Sequence, residues 1–99
     1  MSVQGKPDIQ SVIDAVNKVR KRFGRRPIQN LKRGYRFSFC YCPIARSMGA
    51  GFGMCMDGGL RMLCFGLVQS KVKTPRILME FARRFDFGEY PELELPEKD

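Results

Sequence analysis

Between Asp14 and Asp57 the chain has no acidic residue, and nowhere in its 99 residues does it have a histidine. The first absence excludes local neutralisation. Ten cations, Lys18, Arg20, Lys21, Arg22, Arg25, Arg26, Lys32, Arg33, Arg36 and Arg46, stand in that stretch with nothing of opposite sign beside them. The segments on either side each sum to −1, so the stretch more than supplies the net charge of +8. The second absence removes the nitrogen ligand from any metal site the four cysteines could build. Long apolar runs are missing as well. The longest uncharged stretch, residues 47–56, and the run 62–70 are about half of what a membrane span requires. The opening Met-Ser-Val-Gln-Gly-Lys-Pro-Asp lacks the apolar run of a signal peptide. With six methionines and no such leader, the expectation is a cytoplasmic protein with reduced thiols and no membrane partner.

What is present suffices for one small domain spanning 1–99. The apolar fraction of 43% is ordinary for a globular chain and too high for a disordered one. Residues 1–7 and about 87–99 read as loosely ordered tails, the second one acidic. No internal repeat or low-complexity tract interrupts the rest.

Ile9, Val12, Ile13, Val16, Val19 and Phe23 recur at helical spacing, so 8–23 reads as an amphipathic helix capped by Asp8 and ended by Gly24 and Pro27. Its other face carries Asn17, Lys18, Lys21, Arg22 and Arg25. A polar connector, 25–34, leads to Tyr35, Phe37, Phe39 and Tyr41, which alternate with Arg36, Ser38, Cys40 and Cys42 as in a strand stopped by Pro43. Residues 51–56 and 60–68 read as a hairpin around Asp57-Gly58-Gly59. Thr74 as N-cap and Pro75 at the first helical position start a second helix, striped by Ile77, Leu78, Phe81, Ala82 and Phe85, with Glu80 and Arg84 spaced to pair. The expected fold is therefore α+β, in the order α-β-β-β-α. It is a three-stranded antiparallel meander with the N- and C-terminal helices packed on it.

A two-residue turn would set Phe52, Met54 and Met56 on one face with Leu63, Phe65 and Leu67. If the aromatics of the first strand join them, all four cysteines share the opposite face. Either that face is a flat surface of small residues, or it holds a metal or a disulfide. Cys-x-Cys followed by two single cysteines is not the spacing of a thiolate site, so no metal and no cofactor are expected.

Three motifs bear on chemistry. Cys40 to Ser47 spells C-x5-R-S, which resembles the phosphate loop of cysteine-dependent phosphatases and implies Cys40 as nucleophile and Arg46 as phosphate clamp. Pro43 departs from that pattern because it puts no N–H into the cradle. Residues 33–40, Arg-Gly-Tyr-Arg-Phe-Ser-Phe-Cys, partly resemble the octapeptide of RNA-recognition-motif and cold-shock domains. The resemblance implies base stacking by Tyr35 and Phe37, although the plain reading of these aromatics is the core side of a strand. The helix–three strands–helix order resembles that of double-stranded-RNA-binding domains, with Lys71, Lys73 and Arg76 before the second helix extending the basic surface.

The leading expectation is a non-enzymatic basic module that binds nucleic acid, RNA or DNA, through its phosphate backbone. The contacts would come from Lys18, Arg20, Lys21, Arg22, Arg25, Arg26, Lys32, Arg33 and Arg36, with Tyr35, and Tyr41 if exposed, stacking on bases. The alternatives are an adaptor or inhibitor docking on an acidic protein, and a cysteine-dependent phosphatase using Cys40 and Arg46. The plain reading is a solvated basic face partly neutralised by the acidic C-terminal segment, but ten cations with no acid among them are more than solubility needs.

Overall fold

The computed structural model describes residues 7–55, 59–64 and 67–96. The first helix, α1, spans Ile9–Arg22. Asp8 caps it, accepting from the Ser11 amide at 3.1 Å and the Ser11 hydroxyl at 2.8 Å, and these bonds hold its carboxyl below the usual range. Val12, Ile13, Ala15, Val16 and Val19 form the buried stripe. A short helix α2 (Pro43–Met48) precedes three strands, β1 (Phe52–Cys55), β2 (Gly59–Cys64) and β3 (Leu67–Lys71). Helix α3 (Arg76–Asp86) and a 3-10 turn, Pro91–Leu93, complete the chain. The sheet is an antiparallel meander in the order β1-β2-β3, so the α+β class and the α-β-β-β-α order hold. Among the described residues, no helix is long and apolar enough to cross a membrane.

The three strands are not all the expected ones. Tyr35–Tyr41 is not a strand, because its backbone groups are satisfied elsewhere. The Tyr35 amide donates to the Tyr41 carbonyl at 2.8 Å and closes the segment into a loop. The Tyr41 amide takes the Ser38 hydroxyl, and the Phe37 amide takes the Asp86 carboxylate at 2.8 Å. Phe37 thereby sits at φ 55, a left-handed conformation bulky residues seldom adopt. Gly34 permits the loop, since a Cβ there would run into the Tyr41 and Cys42 backbone. Pro43 does not merely stop the segment but starts α2, where a missing N–H costs nothing. The run 60–68 divides instead between β2 and β3.

Register corrects the faces. Cys55 pairs with Gly59, Met54 with Leu60 and Phe52 with Met62, a register one residue away from that of a two-residue turn; the expected turn itself, at 57–59, falls largely outside the described residues. That one-residue change from a two-residue turn brings Leu60, fully buried, rather than Leu63 to the side of Phe52 and Met54. Without the first expected strand, the common cysteine face does not form. Cys42 is buried as the N-cap of α2, its sulfur accepting from the Ala45 amide, while Cys40 is exposed.

Thr74 does not cap α3. Its hydroxyl accepts from the Leu60 amide and donates to the Val72 carbonyl, both at 2.8 Å, tying the sheet together, and Pro75 takes the cap position. The stretch expected as a loose acidic tail is laid against the domain over residues 87–96. Tyr90 is 1% exposed, packs on Phe81 with ring centres 4.4 Å apart, and donates its hydroxyl to the Pro7 carbonyl at 2.6 Å. Gly34 pairs with Glu94 in a parallel bridge, with the Leu93 carbonyl and the Leu95 amide as its partners.

Candidate nucleic-acid interface

The basic stretch is pinned to α1 by two side chains. The Asn17 amide holds Ile28 through both its backbone groups, at 2.8 and 3.0 Å. Arg20 donates from Nε to the Arg26 carbonyl at 2.7 Å and from Nη1 to the carbonyls of Ser47 and Met48. Arg25 adds a second guanidinium at the same place, with Nη1 on the Met48 carbonyl at 2.8 Å and Nη2 on the Ala50 carbonyl at 3.0 Å. Two cations thus satisfy carbonyls left open at the C-terminal end of α2, where the helix dipole also favours them. Arg25 further lies over the Phe52 ring, 4.9 Å from its centre. Gly49, at φ 102, leaves room for this. A Cβ there would stand 2.5 Å from Arg25 Nη1.

Arg25 joins two grooves. One, about 480 Å3, is lined by Asp14, Asn17, Lys18, Lys21, Arg25 and Pro27 on the outer side of α1. The other, about 390 Å3, includes Lys32, Cys40, Tyr41 and Arg46 and runs over residues 49–52. Ala50, one of the two residues whose carbonyls Arg25 holds, lines the second groove. On the far side of α1, Arg22 donates to the Lys73 carbonyl at 3.0 Å, which brings the linker bearing Lys71, Lys73 and Arg76 to the end of the helix.

The ten expected contact residues therefore fall into groups. Lys18, Lys21, Arg26 and Lys32 are exposed and, among the described residues, make no side-chain hydrogen bond or ion pair. Arg20, Arg22 and Arg25 brace backbone carbonyls, and of the three Arg25 lines the first groove. Arg33 and Arg36 are drawn to the C-terminal segment: Arg33 donates to the Glu94 carbonyl at 2.8 Å, and Arg36 pairs with the Glu94 carboxylate at 3.3 Å. Tyr35 is half-buried beside Arg36 and Glu94. Sequence reasoning missed the bracing roles of Asn17 and Arg20, and local spacing held no signal for either.

The remaining ion pairs of the described residues lie at the other end, where Glu80 meets Arg83 at 2.8 Å and Arg84 at 2.5 Å, and Arg84 meets Glu89 at 2.9 Å. The expected Glu80–Arg84 pair is among them. These arginines hold the Glu80 carboxyl below its usual range. Glu80 and Glu89 thus pair with arginines of α3, and on the α1 groove the acid is Asp14, beside Lys18 and Lys21.

A third hollow, about 290 Å3, lies beneath Phe37 and is walled by Phe39, Cys42, Met54, Ala82 and Asp86. Burial raises the Asp86 carboxyl, opposed by the Phe37 amide and the charge of Arg36. With a carboxylate and no cation in its lining, this hollow suits no polyanion. Cys40 and Arg46 do share the second groove, as a phosphate loop would require. The amides of Ala45 and Arg46, however, bond to the Cys42 sulfur and carbonyl inside α2, and the Ser47 hydroxyl is buried, accepting from the Lys32 amide at 2.9 Å. Those groups do not converge on a common anion. Among the described residues, no cluster of three cysteines or carboxylates is placed to hold a metal. Compared with family models, curated proteins and solved structures, the chain gives no significant match.

Proposed function

We propose that this protein is a non-enzymatic module that binds nucleic acid through the phosphate backbone. The observation that carries the reading is the bridge made by Arg25 between two grooves, one holding Lys18 and Lys21 and the other Lys32 and Arg46. It links, through Ala50, two sets of cations that are scattered in the sequence. Self-neutralisation accounts for little of this side: Asp14 is the acid in the lining of the two grooves, against Lys18, Lys21, Arg25, Lys32 and Arg46. A track that follows a phosphate chain gains affinity by releasing condensed counterions, so binding falls steeply as salt rises.

The test is a salt titration of oligonucleotide affinity, for the native chain and for Lys18→Glu/Lys21→Glu. The native protein should lose roughly tenfold or more in affinity across a fourfold rise in salt, and the double variant should bind weakly with a flatter slope. Affinity indifferent to salt, or unchanged by the charge reversal, overturns the reading. Tight capture of a defined acidic protein, with no nucleic acid bound, would favour the adaptor alternative instead.

A further inference from the structure

We propose that the groove beside Tyr41 is a stacking subsite for an unpaired base, so that the preferred ligand is single-stranded nucleic acid. The inference rests on the nucleic-acid reading above and adds to it the form of the strand. Tyr41 is 61% exposed, so most of its ring is open to a partner. Its backbone is nevertheless held at both ends, the amide by the Ser38 hydroxyl at 3.1 Å and the carbonyl by the Tyr35 amide at 2.8 Å. Buried Cys42 and Pro43 follow it at once and root it to α2. The ring is thus presented from a fixed backbone, and little conformational entropy is lost when a flat partner covers it.

Its neighbours decide which partner. Lys32 and Arg46 line the same groove and suit phosphates on either side of a stacked base. Arg46 is itself aimed by its bond to the Arg33 carbonyl at 2.6 Å. Phe37 is equally exposed, at 64%, yet the hollow it lines holds Asp86 and no cation, whereas the groove of Tyr41 holds two cations and no carboxylate. Stacked duplex bases present no free face, so a ring in a cationic groove favours an unpaired strand over a paired one.

The experiment compares three probes on the native chain, Tyr41→Ala and Tyr41→Phe. The probes are an oligothymidylate of about twelve nucleotides, a duplex of similar charge, and heparin, a polyanion without bases. The expected result is an oligothymidylate affinity reduced about tenfold by Tyr41→Ala and held within about twofold by Tyr41→Phe, with duplex and heparin affinities unmoved. The chain has no tryptophan, so tyrosine emission is readable, and quenching by oligothymidylate should disappear in Tyr41→Ala. Bound oligothymidylate should also slow alkylation of the exposed Cys40 in the same groove. Oligothymidylate affinity unchanged in Tyr41→Ala, or heparin affinity falling equally, overturns the subsite. If the salt-dependent binding persists in either case, the backbone-binding reading survives. If no probe binds with salt dependence, that reading itself fails.

Discussion

The Arg25 guanidinium donates to the Ala50 carbonyl at 3.0 Å, and this contact between a connector and a glycine-rich link 25 residues on makes one surface of two. Its second arm holds Met48. A lysine reaches one carbonyl but cannot fork across both. Arg25→Lys should therefore lower stability by about 1–2 kcal/mol in urea unfolding, besides weakening binding. Gly49→Ala should act through the same contact. Its φ of 102 and ψ of −176 belong to glycine alone, and the added methyl displaces Arg25, so a loss of about 1–3 kcal/mol is expected.

Charge position, not charge count, should govern binding. Lys21→Ala removes an exposed cation of the first groove, whereas Arg36→Ala removes one already paired with Glu94. Lys21→Ala should reduce the slope of log affinity against log salt by about 1, and Arg36→Ala should change it much less. Parallel fluorescence-anisotropy titrations at several salt concentrations check this.

Asp86 supports Phe37 in its left-handed conformation, and the bond needs an acceptor rather than a charge. Burial penalises the charged form. Asp86→Asn should be nearly neutral or slightly stabilising at neutral pH, while Asp86→Ala leaves the Phe37 amide without its partner and costs about 1–3 kcal/mol. Thermal unfolding of the two variants distinguishes them.

Tyr90 sets an alkaline limit. Burial pushes its hydroxyl from 10.0 up to about 12, so the unfolded chain gives up that proton first. The stability that this hydroxyl contributes is therefore fully present below pH 10 and is lost progressively between about 10 and 12. Tyr90→Phe should cost about 1 kcal/mol at neutral pH through the lost bond to Pro7, and should flatten this alkaline decline relative to the native chain.

The thiols should separate by reactivity. Burial pushes Cys42 up to about 11, and Cys40 is exposed. Mass-spectrometric mapping of brief alkylation should find Cys40 modified and Cys42 protected until denaturant is added.

Much of the frame was legible because it depends on local period and capping. The helix after Asp8 and the pair Glu80–Arg84 came from spacing alone. Residues 35–41 misled because their alternation is real while their hydrogen bonds are not those of a strand. Phe37 answers to Asp86, 49 positions away, and no local pattern reports such a partner. The hairpin register differs by a single residue from the expected one, which was enough to put Leu60 and Met62, rather than Leu63, on the side of Phe52 and Met54. For the interface, the excess of charge was legible but its distribution was not. That Arg36 is paired with Glu94, that Arg20 and Arg25 brace α2, and that Tyr41 stands exposed beside Arg46 are all consequences of tertiary packing.

The most direct test of the cationic track is an amide-resolved NMR titration with oligothymidylate. Perturbed resonances should cluster at residues 17–26, at Lys32 and Tyr41, and at 49–51, leaving Glu80, Arg83, Arg84 and Glu89 unmoved. Shifts centred on the α3 end, or no saturable shift at low salt, would contradict it.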